Sequence, residues 1–269
     1  DIPRLQQGNV ALQMFTTVTK SPDGINYETN SSDASDNITK LALVSLWPTN
    51  TWNNLVERAL FQANKALILA NVFPQQVSLI TTKSDLSEYI LQRETNPQLL
   101  GMLLGTEGSH ALDGDLNNIQ RLFDSGFRMM SLQHFFDNQL GGSLHGESAE
   151  GLTVFGREAL QKMQSLGIML DVSHSSEQVV KDVLAISRQP LLVSHTGFYG
   201  HCPSPRNISD KLMQQIAIKG GLIAVGYWDG AVCKPNVNEI AKAIKYGIEL
   251  VSIEHIAIGS DYELSLIHH

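Results

Sequence analysis

The chain has 269 residues, is 42% apolar and carries 27 acidic against 19 basic side chains, a net charge of −8 with a pI near 5.5. That balance, with no Lys/Arg cluster, excludes a nucleic-acid-binding surface. No stretch reaches the ~18–20 consecutive apolar residues that a membrane span needs. The opening "DIPRLQQGNV" reads as mid-protein sequence without a leader pattern. The two cysteines, Cys202 and Cys233, are too few for a disulfide scaffold or a Cys-based zinc site.

Taken in chain order, apolar runs of strand length occur at Val10–Phe15, Met102–Thr106, Met129–Leu132, Ile168–Val172, Leu191–Val193, Leu222–Val225 and His255–Ile258. Most are continuously apolar rather than alternating, the signature of strands buried on both faces of a parallel sheet. Amphipathic stretches predict helices over Trp52–Phe73, Asp115–Ser125, Phe155–Leu166, Ser176–Ser187, Ser209–Lys219 and Val237–Val251. Ser175 or Ser176, Ser209 and Asn236 supply starting caps, and Gly126, Gly167 and the Gly220–Gly221 pair supply stops. Two polar segments, Ser21–Asn37 and Asp137–Gly151, read as surface loops, because periodic structure resumes at once on either side.

Regular strand–helix alternation without a domain boundary favours one (β/α)8 TIM barrel spanning residues 1–269 over an open doubly wound sheet. No Gly-x-Gly-x-x-Gly follows the first strand, and no Walker-type loop occurs. Seven strands are counted where a closed barrel has eight, so the chain reads as incomplete at both ends.

In such a barrel the C-terminal strand ends share one mouth. The predicted exits carry Glu107 ("GTEGSH"), His134 ("SLQHFFDN"), His174 ("LDVSHSS"), His195 ("LVSHTG") and Asp261 ("AIGSDY"); the exit at 226–229, Gly-Tyr-Trp-Asp, is the exception. Singly, each histidine suits a hydrogen-bonded structural role and each carboxylate a helix cap. Together they would cost several kcal/mol each if buried unpaired. A divalent cation removes that cost, since imidazole nitrogen and carboxylate oxygen suit zinc. Arg206, in the stiff "CPSPRN" loop, can hold a substrate carboxylate in a bidentate fork or pair with a helix-face carboxylate. Cys202 and Cys233 fall beyond the ends of neighbouring strands and read either as unrelated thiols or as a bridge.

"GTEGSH", "SLQHFFDN", "GIMLDVSHSS", "LLVSHTG", "CPSPRN" and "IAIGSDY", in this order, resemble the membrane dipeptidase (renal dipeptidase) family, peptidase family M19, of the amidohydrolase-type barrels. The resemblance runs from Asp1 to Tyr262. It implies a metallo-dipeptidase that cleaves dipeptides with two zinc ions and a metal-activated water. It assigns Glu107 as the carboxylate bridging the metals, and His174 and His195 as ligands of one of them. His134 would sit over the substrate and stabilise the oxyanion, Arg206 would clamp the substrate's carboxylate, and Asp261 would carry the proton to the leaving amine. A Cys202–Cys233 disulfide is implied too, and with it maturation outside the reducing cytoplasm. The resemblance is compatible with a homodimer and with membrane attachment through a segment outside this chain.

Two departures stand out. The family's His-x-Asp pair, which completes the other metal site, occurs nowhere in the sequence, and "ELSLIHH" after Tyr262 departs from the family pattern. Alternative readings are another amidohydrolase, acting on an acylated amino acid or a lactone, and a non-catalytic truncated relative.

Overall fold

Helix starts are set by short polar side chains that accept otherwise unpaired backbone N–H groups: Asp36, Asn54, Thr82, Thr153, Ser176 and Asn236 each do so. The computed structural model describes residues 2–261. Its helices are α1 (Ile2–Gln7), α2 (Asn37–Val44), α3 (Leu55–Val72), α4 (Lys83–Thr95), α5 (Asn117–Asp124), α6 (Val154–Ser165), α7 (Glu177–Ile186), α8 (Asp210–Ile218), α9 (Asp229–Val232) and α10 (Val237–Val251). Its strands are β1 (Leu12–Thr17), β2 (Val77–Leu79), β3 (Leu100–Thr106), β4 (Phe127–Ser131), β5 (Met169–Asp171), β6 (Leu191–Thr196), β7 (Leu222–Val225) and β8 (Ile256–Ile258). Tyr262 and the "ELSLIHH" segment lie outside the described residues.

All strand pairs are parallel, and the sheet runs β1-β3-β4-β5-β6-β7-β8. β1 occupies one edge of β3 along Gly101–Thr106. On the other edge β2 pairs with Leu100–Met102 and β4 with Leu104–Thr106, so β2 and β4 divide it between them. The sheet curls into a TIM-barrel-like half-cylinder, and among the described residues β1 and β8 do not pair. Every successive strand enters from the same side, so all the strand exits face one mouth.

The core lies between sheet and helices. Met102, Leu104, Phe127, Met130, Leu170, Val193 and Ile223 of the strands pack with Leu160, Met163, Val183, Met213 and Ile216 of the helices. Burying each such side chain contributes about 1.5–3 kcal/mol. β3 shows why near-continuous apolarity marks these strands: six of its seven residues are buried.

The seven expected strands are present with ends moved by a few residues, but the strand count needs correction. β2 is an eighth, hidden in "VSLI" because three residues are too few to show a period. The helices α1, α2, α4 and the short α9 likewise lie outside the expected set. The long helix starts at Leu55 rather than Trp52, because the Asn54 side chain accepts from the Glu57 N–H and fixes the first turn there. Gly126, Gly167 and Gly220 follow helix ends with positive φ, as expected of stops.

The first polar loop lies largely at the surface, as expected, and is anchored at its end, whereas the reading of the second as a surface loop is corrected. In the first, Asp36 takes a 2.6 Å ion pair from Arg58, a guanidinium only 1% exposed that also donates to the carbonyls of Thr19, Thr51 and Trp52 and to Thr39 Oγ1. In the second, Leu140, Ser143 and His145 are buried, and the Asn30 backbone N–H reaches the His145 carbonyl at 2.8 Å, joining the two loops over the mouth. Cys202 and Cys233 form a disulfide between the segment after β6 and the end of α9.

Candidate metal centre

Glu107 leaves β3 with its backbone N–H on the Thr17 carbonyl at the end of β1, which aims the side chain into the mouth. Gly108 follows at φ 77°, and a Cβ there would meet the His110 ring and lie 2.9 Å from His134 Cβ, so this position of "GTEGSH" requires glycine. His134 follows β4, His174 follows β5, His195 lies within β6, and Asp261 follows β8.

These residues converge on one carboxylate oxygen. Glu107 Oε1 is 3.3 Å from His174 Nε2, 3.3 Å from His195 Nε2 and 3.5 Å from His134 Nε2. His174 Nε2 and His195 Nε2 are 2.9 Å apart. Asp261 Oδ1 stands 3.8 Å from His195 Nε2. The donor atoms form two overlapping groups able to hold a cation, Glu107–His134–His174 and Glu107–His195–Asp261, which share the glutamate.

The donor set fits divalent metal. Two ligand atoms bound tetrahedrally at zinc distances are about 3.4 Å apart, close to the two 3.3 Å separations from Glu107. The two groups share Glu107, and His174 and His195, whose Nε2 atoms are 2.9 Å apart, belong one to each.

Arg206 is 1% exposed. Its Nη1 donates to the Ser173 carbonyl at 3.1 Å, and its Nη2 to the His195 carbonyl at 3.0 Å, and Nη2 lies 3.5 Å from His174 Nε2. Its guanidinium carbon lies 5.3 Å from the centre of the Trp228 ring. None of the ion pairs among the described residues includes Arg206, so the alternative of a helix-face carboxylate partner is not what is found. The guanidinium is thus buried beside the cluster and held by neutral carbonyls.

The electrostatics follow from burial and proximity. Burial alone would raise the Glu107 carboxyl, but His134 and hydrogen bonds with His174 and His195 hold it well below the usual carboxylate range. Burial lowers His134 to about 4, against the pull of Glu107. Burial and then Arg206 lower His174 well below the usual imidazole value. His195 is raised, because Asp261 and Glu107 outweigh its burial. Burial raises Asp261.

Several residues around the mouth were not anticipated. Trp228, on the exit set aside as an exception, lies 6.0 Å from the His195 ring. His145 stacks on Phe135 at 5.2 Å, and its Nδ1 faces the Tyr27 carbonyl at 2.8 Å. His110 stacks on Phe136 at 4.3 Å and has neither ring nitrogen paired among the described residues. The aromatic character of "GYWD" and the extra histidine in each of "GTEGSH" and "GGSLHGES" were the available signals.

Fold and cluster together are those of a TIM-barrel-like parallel sheet with a candidate metal centre at its mouth. The sequence profile of the membrane dipeptidase family, peptidase family M19, matches residues 1–266, and the chain belongs to that family. An uncharacterized dipeptidase of Schizosaccharomyces pombe is 28% identical over 173 residues, covering 61% of this chain and 42% of the yeast protein. The chain thus spans less than half the length of that relative. An amidohydrolase from Pseudomonas aeruginosa is 25% identical with a TM-score of 0.68, over 76% of this chain and 62% of that one. Dipeptidase AC, an M19 metallopeptidase, superposes with a TM-score of 0.76 at 20% identity, over 97% of this chain and 75% of that one. A Rhodobacter sphaeroides metallopeptidase, liganded with a phosphinate mimic of L-Ala-D-Ala, has a TM-score of 0.72 at 18% identity over 97% of this chain and 76% of that one. The last two likenesses concern the fold.

Proposed function

We propose that this protein is a zinc-dependent dipeptidase acting through a metal-activated water. The observation that carries the reading is the meeting of His174 Nε2, His195 Nε2 and Glu107 Oε1 at mutual distances of 2.9 and 3.3 Å, buried at the sheet's mouth. Glu107, His174 and His195 would hold the metal, with Glu107 shared between two ions. Bound zinc lowers the pKa of its water toward neutrality and polarises the scissile carbonyl.

The remaining steps fall to the chain's own groups. Arg206 binds the dipeptide's free carboxylate, which its lack of an acidic partner supports, and so sets the register of the peptide bond. His134 offers its Nε2–H to the carbonyl oxygen as that oxygen gains charge. Asp261 takes the proton released by the attacking water and returns it to the amine as the C–N bond breaks. Its place beside His195 and at the rim, about one-third exposed, suits transfer between water and leaving group. The Cys202–Cys233 disulfide supports an extracytoplasmic location.

The test is metal content per chain, paired with hydrolysis of a panel of L,L and L,D dipeptides and N-acyl amino acids. The ligand of the Rhodobacter neighbour makes an L,D pair a suitable member. Bound zinc with dipeptide turnover supports the proposal. Turnover of the N-acyl amino acids alone would move it to another amidohydrolase, and metal-free, inactive protein would overturn it.

A further inference from the structure

Both Val-Ser-His triplets place a serine directly before a candidate ligand, and both serines meet one carboxylate. Asp171 ends β5 and is 1% exposed. Its Oδ1 accepts from the Ser173 backbone N–H at 3.2 Å, from Ser173 Oγ at 2.6 Å and from the Ser194 backbone N–H at 2.9 Å. Its Oδ2 accepts from Ser194 Oγ at 2.7 Å. Ser173 Oγ in turn accepts from the His195 backbone N–H at 3.2 Å, tying the end of β6 to the end of β5.

A proton count along this chain has one solution. An ionised carboxylate only accepts, and each serine hydroxyl has a single proton. Both hydroxyl protons therefore point at Asp171, because its shorter contacts of 2.6 and 2.7 Å need them, and the 2.9 Å approach of Ser173 Oγ to Ser194 Oγ carries none. Ser194 Oγ also lies 3.0 Å from His195 Nδ1. With its own proton committed to Asp171, Ser194 Oγ can only accept there, so Nδ1 carries the hydrogen. In the neutral ring His195 Nε2 is then left with its lone pair, the form in which an imidazole binds a cation, and the hydrogen bond to Glu107 belongs to the protonated ring. The other two imidazoles have no such tie: Nδ1 of His134 and of His174 are buried without a partner among the described residues.

The geometry points to Asp171 as a positioning residue that, through Ser194 Oγ, fixes the tautomer and ring orientation of His195. The assignment rests on the reading of His195 as a metal ligand. Partners that orient a ligating histidine typically contribute about 10–100-fold in metal affinity. Asp171→Asn is the discriminating change. Its amide would face Ser194 Oγ as a donor, freeing the serine proton to turn toward His195 Nδ1 and move the ring hydrogen to Nε2.

The test uses the full chain, metal-free and labelled with 15N-histidine, with tautomers read by NMR at pH 9 and His195 assigned through a His195→Gln variant. Zinc affinity is measured alongside, by competition with a chromophoric chelator. The expected result is Nδ1–H at His195 in the parent protein and Nε2–H in Asp171→Asn, with zinc bound about 10–100-fold more weakly. Ser194→Ala, which leaves Asp171 in place, should abolish the tautomer preference and weaken zinc by about 10-fold. Parent-like tautomer and affinity in Asp171→Asn overturn the proposal, as does the same result in Ser194→Ala should Asp171→Asn fail to fold. A parent chain that binds no zinc defeats the dipeptidase reading instead, while the tautomer comparison still decides the role of Asp171.

Discussion

His174 Nε2 and His195 Nε2 lie 2.9 Å apart, each 3.3 Å from the same oxygen of Glu107, although the two histidines sit 21 residues apart on successive strand exits. Three atoms that can each offer a lone pair meet in a buried space, an arrangement that suits a shared cation. Glu107→Gln keeps the shape and removes the charge. Zinc binding should fall by more than about 100-fold, beyond the range of residues that only orient a ligand, with turnover lost in parallel. Metal analysis after dialysis against graded zinc checks this.

Arg206 offers a second handle. Arg206→Lys keeps the charge but loses the fork, and one charge-assisted hydrogen bond contributes about 1.5–3 kcal/mol. KM for dipeptides should rise by about 10–100-fold with kcat changed less. The parent should discriminate against dipeptide amides, which lack the carboxylate, and the variant should discriminate less. Equal effects on acid and amide would show that Arg206 only braces the Ser173 and His195 carbonyls.

The pH dependence of stability is set by imidazoles buried in the neutral form. His110 is lowered to about 3, by burial and then by His134, and His145 to about 4, by burial and then by Arg206. Both lie below the value of 6.5 for a free imidazole. Their contribution is therefore complete above pH 6.5 and is lost as pH falls toward the folded values, because the unfolded chain takes up the protons first. Each such group adds a slope of about 1.4 kcal/mol per pH unit. His110→Phe should reduce the slope of unfolding free energy between pH 6 and 4 by about that amount, measured by urea titration of metal-free protein.

Arg58 and Asp36 make the same kind of argument for the fold. The guanidinium is tied to three backbone carbonyls, Thr39 and Asp36. Arg58→Met should destabilise by about 3–5 kcal/mol, since it leaves Asp36 without its cation and three carbonyls without a donor. The double change Arg58→Met with Asp36→Asn should recover part of that loss.

The disulfide closes a loop of sequence separation 31. Replacing both cysteines with serine should cost about 2–4 kcal/mol. Thiol titration of the unreduced protein should find no free sulfhydryl.

The sequence by itself determined the parallel sheet, seven of its strands, the helix stops and the five metal-competent exits. Those features are local: continuous apolarity marks a doubly buried strand, and a strand's last residues must face the mouth wherever the strand sits. The family resemblance rested on the same exits and brought the disulfide with it. β2 was illegible because three residues carry no period, and the burial of Asp137–Gly151 was illegible because a polar segment looks alike whether water or protein satisfies it.

Only the tertiary structure decided which atoms meet. In the sequence Asp171 ends an apolar run and a serine precedes the histidine of each triplet, with nothing that links the three. Their hydrogen bonds join adjacent strands, so no spacing within either triplet could reveal them. Strand pairing places Asp171 opposite Leu192, within reach of Ser194, whose Oγ lies 3.0 Å from Nδ1 of His195 while Nε2 faces Glu107.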